Sequence, residues 1–199
     1  MASKKTVLAQ PLGGLFLMSI LTITWTVFAE YYFNNGDFRV AGFIFGAVLI
    51  YFIYSYWRLS KKTSLLPESK EPTSPQKERL YWIIVALEGT AIFGANIILT
   101  NTGKGEYFIS CFALIVGLHF IPLAKVFERK FDYYVGIWTI LIAATGITLI
   151  LQKTLDYRFV NALVCTGCAV STTLYGLKMI NDGSNIIKKC SPHNYYLPE

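Results

Sequence analysis

The chain has 199 residues, of which 54% are hydrophobic and only 15% charged, with a formal net charge of +6. A soluble domain carries about 25% charged residues, and here the charges crowd between long apolar stretches, which excludes an ordinary soluble fold. The positive balance comes with no basic helix and no aromatic-basic motif, so no nucleic-acid partner is expected.

A membrane-spanning helix needs about 20 mostly apolar residues, and six stretches qualify: 13–33, 38–57, 80–100, 107–126, 133–151 and 159–180. None carries the charged face of a soluble amphipathic helix. The reading is an all-α, polytopic membrane protein with six transmembrane helices arranged as three helical hairpins. It divides into an N-terminal segment (1–12), hairpins 13–58, 79–128 and 129–182, a linker (59–78) and a tail (183–199), with the lipid bilayer as principal partner.

The first span follows Lys4 and Lys5 and ends near Val27-Phe28-Ala29, which invites comparison with a signal peptide. Its apolar run is longer than the usual 7–15 residues of such a segment, and its removal would leave five spans and break the hairpin pairing. It is therefore read as a retained span. Ser19, Thr22, Thr26 and Glu30 share one face of it by their i, i+3, i+7, i+11 spacing. That stripe can line an aqueous path with Glu30 at its mouth, or mark a close helix contact.

The connection to the second span is the turn-forming Asn34-Asn35-Gly36-Asp37, and the later external connections, Asn101-Thr102-Gly103-Lys104-Gly105 and Lys153-Thr154-Leu155-Asp156, are equally short. Short connections join antiparallel neighbours. Each even-numbered span opens on an acid and an aromatic (Asp37-Phe38, Glu106-Tyr107, Asp156-Tyr157), with a glycine further on at Gly46, Gly117 and Gly167. This hints at a triplicated unit, although interfacial acids and aromatics can converge. The segment containing Pro67-Glu68-Ser69-Lys70-Glu71-Pro72 is too polar to bury apolar surface and reads as a flexible tether.

In the third and fourth spans, Glu88 and His119 are the ionisable residues deepest in apolar surroundings. Glu88 lies nine residues beyond Arg79, about 13 Å at 1.5 Å per residue. His119 lies twelve residues beyond Tyr107, which in a core about 30 Å thick leaves it about 12 Å from the same end. The two share a depth on adjacent helices and can share a proton if they face one another. Asn96, two turns beyond Glu88, can extend a polar stripe. Pro122, three residues after His119, frees a backbone carbonyl near Leu118 and favours a kink. Such groups serve either function or helix packing.

In the sixth span Asn161, Cys165, Cys168 and Thr172 form another small-residue face. The Cys165 and Cys168 pair has C-x-x-C spacing, but an apolar setting makes thiols inert. No disulfide, metal site or cofactor is expected; the chain has only two histidines, His119 and His193.

Loop alternation sorts the 18 basic residues. Lys4, Lys5, Arg58, Lys61, Lys62, Lys70, Lys77, Arg79, Lys125, Arg129, Lys130, Lys178, Lys188 and Lys189 fall on the side of the N-terminus, against Arg39, Lys104, Lys153 and Arg158 on the other. By the positive-inside rule both termini are cytoplasmic, in a plasma membrane of bacterial type. Three functions follow. The first is binding or transport of a small solute or ion, proton-coupled through Glu88 and His119 with Asn96, Glu30 and Thr26 as further candidates. The second is a non-catalytic partner, immunity or sensor protein, in a homo-oligomer or with another membrane protein. The third is an intramembrane enzyme on a lipidic substrate, which has least support because no nucleophile or metal constellation accompanies the pair.

Overall fold

The structure is a computed structural model and describes residues 8–34, 36–37, 39–63 and 75–190. Six α-helices run in the order α1 (Ala9–Phe33), α2 (Val40–Lys62), α3 (Pro75–Asn101), α4 (Phe108–Phe127), α5 (Lys130–Leu151) and α6 (Tyr157–Cys190), with a 3₁₀ turn at Gly105–Tyr107 before α4. There is no strand among the described residues. Phe38, residues 64–74 of the expected tether, and His193 lie outside the described residues.

Local chemistry sets the helix ends. Asn34 takes a left-handed conformation (φ 49°) and returns its N–H to the Glu30 carbonyl, which terminates α1. Asp37 then starts α2, its carboxylate accepting the N–H groups of Arg39 (2.9 Å) and Ala41 (3.0 Å). Gly103, at φ +67°, supplies the left-handed residue that lets Lys104 N–H reach back to the Leu99 carbonyl. Glu128 does the same for α4 at φ 56°, leaving a two-residue link to α5. Asp156 caps α6 through the Arg158 N–H at 2.8 Å.

The apolar surface identifies the solvent around the bundle. Phe16, Ile23 and Val27 of α1, Phe43, Ile50 and Ile53 of α2, and Trp82, Leu87 and Phe93 of α3 are all exposed. A water-soluble monomer does not present apolar faces of this extent. The hydroxyls on these faces are satisfied inside their own helices: Thr24 on the Ile20 carbonyl, Thr90 on Ala86, Thr145 on Leu141 and Thr148 on Ala144. Lipid-facing hydroxyls require this, since lipid offers no partner.

At the centre stands α6, packed against α1, α2, α4 and α5. α1 touches α2, α3 touches α4 and α5 touches α6, but the most extensive seams, α1 with α6 and α4 with α5, run between the expected hairpins. Small residues make both. In the first seam Thr22 and Thr172 share a buried hydroxyl bond of 2.8 Å. In the second, Gly117 and Gly136 bring two backbones together, so that a Cβ on Gly117 would sit 2.9 Å from the Ile140 nitrogen and 3.1 Å from the Gly136 carbonyl oxygen. The three glycines of the suspected repeat do not share a setting: Gly46 faces open space, Gly117 a backbone and Gly167 the Ile142 side chain.

Helix α6 differs from its expected span. It runs ten residues beyond Ile180, to Cys190, and its 34 residues extend about 51 Å. Hydropathy falls at Lys178 and Asp182, but these pair with each other one turn apart at 2.8 Å, and Gly183 is buried against Leu59 and Pro11. Helix α3 is the opposite case. None of its residues is buried, and it is held chiefly by α4.

Candidate functional site

The Glu88 carboxylate and the His119 imidazole meet across α3 and α4. Glu88 Oε1 lies 3.1 Å from His119 Nδ1, with side-chain exposures of 18% and 14%. The approach has ion-pair length without hydrogen-bond alignment, so Nδ1 keeps its hydrogen-bonding capacity unspent. The imidazole leans on Phe120, ring centroids 4.5 Å apart. The contact brings a carboxylate and an imidazole, side chains that each can carry a proton, together across two helices.

The other candidates stand apart from this pair. Asn96 is exposed on α3, about 12 Å along the helix from Glu88. Pro122 is exposed, and α4 continues through it to Phe127. Glu30 is engaged as a cap: its Oε1 accepts the Gly42 N–H in the first turn of α2, close enough that a Cβ on Gly42 would strike the carboxylate. Thr26 back-bonds to the Thr22 carbonyl at 2.7 Å. The α1 stripe thus serves the seam with α6 at Thr22 and the start of α2 at Glu30. Cys165 and Cys168 are buried, free thiols in the α6 face.

Sequence reasoning passed over Asp132. Span 133–151 began one residue after it, which left it in the loop; the structure places it in the first turn of α5, only 2% exposed. A helical signal was present: Asp132, Val135, Gly136, Thr139 and Ala143 all lie on the buried face of α5. Asp132 lies within electrostatic reach of His119, Arg129 and Lys178 and within hydrogen-bonding reach of the Tyr175 hydroxyl, while its Oδ1 has no hydrogen-bond partner.

Arg129 completes the cluster. Its Nη1 donates to the Tyr175 hydroxyl at 3.0 Å, and with the Gln10 amide oxygen turned toward it, Nε (2.8 Å) and Nη2 both donate to Gln10. The phenol ring of Tyr175 packs against Phe120 and Phe131. Gln10, Arg129, Phe131 and Asp132 wall a cleft of about 630 Å³ at the end of the bundle where α1 starts and α4 meets α5; Lys130, Lys178, Asp182 and Lys189 also line it.

Among the described residues six helices are long and apolar enough to cross a membrane, the pattern of a multi-pass α-helical membrane protein. Comparison with protein-family models, with curated proteins and with solved structures finds no match.

Proposed function

We propose that this protein binds or transports a small solute or ion and couples that event to a proton held by Glu88 and His119. It would sit in a plasma membrane with both termini and the basic end of the bundle in the cytoplasm. The observation that carries the reading is the 3.1 Å contact between Glu88 and His119 in the apolar middle of two spans. Ionisable side chains are costly at that depth, and a contact made only for packing needs no titratable partners. The orientation rests on the excess of Lys and Arg at one end.

The test uses protons as the probe. Purified protein in liposomes with an internal pH-sensitive dye receives a pH jump. Wild-type protein dissipates the gradient, and Glu88→Gln and His119→Ala slow it by about tenfold or more. Equal rates in all three would defeat the reading.

A second reading, a non-catalytic partner of another membrane protein or of a second copy, is favoured by α3. A span with no buried residue leaves most of its surface for another protein. Lysine-reactive cross-linking in native membranes separates the two: protein active when reconstituted alone supports the carrier, whereas a stoichiometric partner lost on reconstitution together with activity supports this alternative.

A further inference from the structure

We propose that Asp132 is a proton-exchange residue that connects the cleft at the basic end of the bundle with the Glu88 and His119 pair. The proposal rests on the proton-coupled reading of that pair and supplies its route to solvent.

Three observations converge on Asp132. It is 2% exposed, although it stands in the first turn of a helix beside a cleft of about 630 Å³. Its Oδ1 is buried without a hydrogen-bond partner, which is rare for a carboxylate oxygen and leaves it free to take up a proton. Its place on α5 also sets it within electrostatic reach of His119. Gly136, one turn further along the same helix face, is where α5 touches α4, at Gly117 and Phe120. Asp132 thus stands one helical turn, about 6 Å along the axis, from the level at which α5 meets Phe120, the residue next to His119.

The surrounding charges fit a relay. Asp132 is faced by His119 from α4, by Arg129 from the link before α5, and by Tyr175 and Lys178 from α6. Gln10 of α1 and Asp182 of α6 complete the cleft wall. Arg129 bonds Gln10 and Tyr175, and Lys178 pairs with Asp182, while both act on Asp132 at longer range without a direct salt bridge to it among the described residues. Asp132 is therefore positioned to exchange a proton with solvent in the cleft. A water entering from the cleft bridges the gap: the Asp132 carboxyl gives its proton to that water, the water gives one of its own to the His119 imidazole, and His119 passes one to the Glu88 carboxylate. Each transfer breaks one O–H or N–H bond and forms another, with no change in oxidation state.

The test compares Asp132→Asn and Asp132→Glu with wild-type protein in two measurements. The first is the liposome proton flux; the second is the pH-induced infrared difference spectrum of the purified protein, which records carboxyl and imidazole bands without requiring transport. Asp132→Asn is expected to slow proton flux by about tenfold, to remove one carboxyl band and to alter the imidazole bands; Asp132→Glu restores both the flux and the bands. Wild-type flux together with unaltered imidazole bands in Asp132→Asn would overturn the proposal. If wild-type protein moves no protons, the transport reading fails by itself, and the infrared coupling of Asp132 to His119 alone decides this inference. Loss of folding in Asp132→Asn passes the decision to Asp132→Glu, whose carboxyl band must respond to His119→Ala.

Discussion

Replacing Gly117 with alanine tests the packing on which the site depends. The added Cβ would stand 2.8 Å from Ile140 Cγ1, 2.9 Å from the Ile140 nitrogen and 3.1 Å from the Gly136 carbonyl oxygen. Two of these three atoms belong to the backbone, so no rotamer change relieves them, and α4 must move from α5 by a few tenths of an ångström. Such overpacking costs about 1–3 kcal/mol, partly offset by the gain of about 0.5–1 kcal/mol that alanine brings to a helix in place of glycine. The net expectation is a loss between about 0 and 2.5 kcal/mol, centred near 1 kcal/mol. Gly46→Ala provides the control, because its Cβ meets nothing within 4 Å, and it should gain about 0.5–1 kcal/mol. Unfolding in mixed micelles with increasing denaturing detergent measures both. Equal stability of the two variants would refute the close approach of α4 and α5.

Three further outcomes follow. Thr22→Val removes half of a buried 2.8 Å bond but leaves Thr172 its contact with the Ala169 carbonyl, so unfolding in the same micelles should show a loss of about 0.5–1.5 kcal/mol. A water-soluble maleimide should label Cys190 in the folded protein while Cys165 and Cys168 react only after denaturation; mass mapping of the labelled sites reads the difference. At the basic end, Lys77 bonds Glu128 at 2.8 Å and holds that carboxyl below its usual range. A carboxyl with a lowered folded-state pKa stabilises above its unfolded pKa, and the benefit fades as pH falls through the folded one. The unfolding midpoints of wild type and Lys77→Gln should therefore differ slightly at neutral pH and low salt, and converge on acidification or in high salt.

How much of this was legible in the sequence depended on what each residue had to reveal. Depth was legible, because a helix rises 1.5 Å per residue whatever its surroundings; counting from Arg79 and Tyr107 placed Glu88 and His119 at one level, and the structure shows them in contact. Facing was not, because it depends on how α3 and α4 rotate against each other. The α1 stripe of Ser19, Thr22, Thr26 and Glu30 carried the chemistry of a close contact, yet nothing local names Thr172, 150 residues away, as its partner. Asp132 was obscured for another reason. Hydropathy assigns a charged residue at a span boundary to the loop, whereas the short turn at Glu128 and Arg129 draws it into the first turn of α5 and under Tyr175. The same bias ended the sixth span at Ile180, where the pairing of Lys178 with Asp182 carries the helix onward.

The contact of Glu88 with His119 carries the proposed proton chemistry, and solid-state NMR measures that contact directly. The chain has only two histidines, so labelling histidine with ¹⁵N and glutamate with ¹³C in bilayer-embedded protein gives few signals to assign. With Oε1 3.1 Å from Nδ1, magnetisation should pass between the Glu88 carboxyl carbon and His119 Nδ1, and Glu88→Gln should shift the His119 signals. No transfer, with His119 signals unchanged in Glu88→Gln, would contradict the pair and the proton chemistry assigned to it.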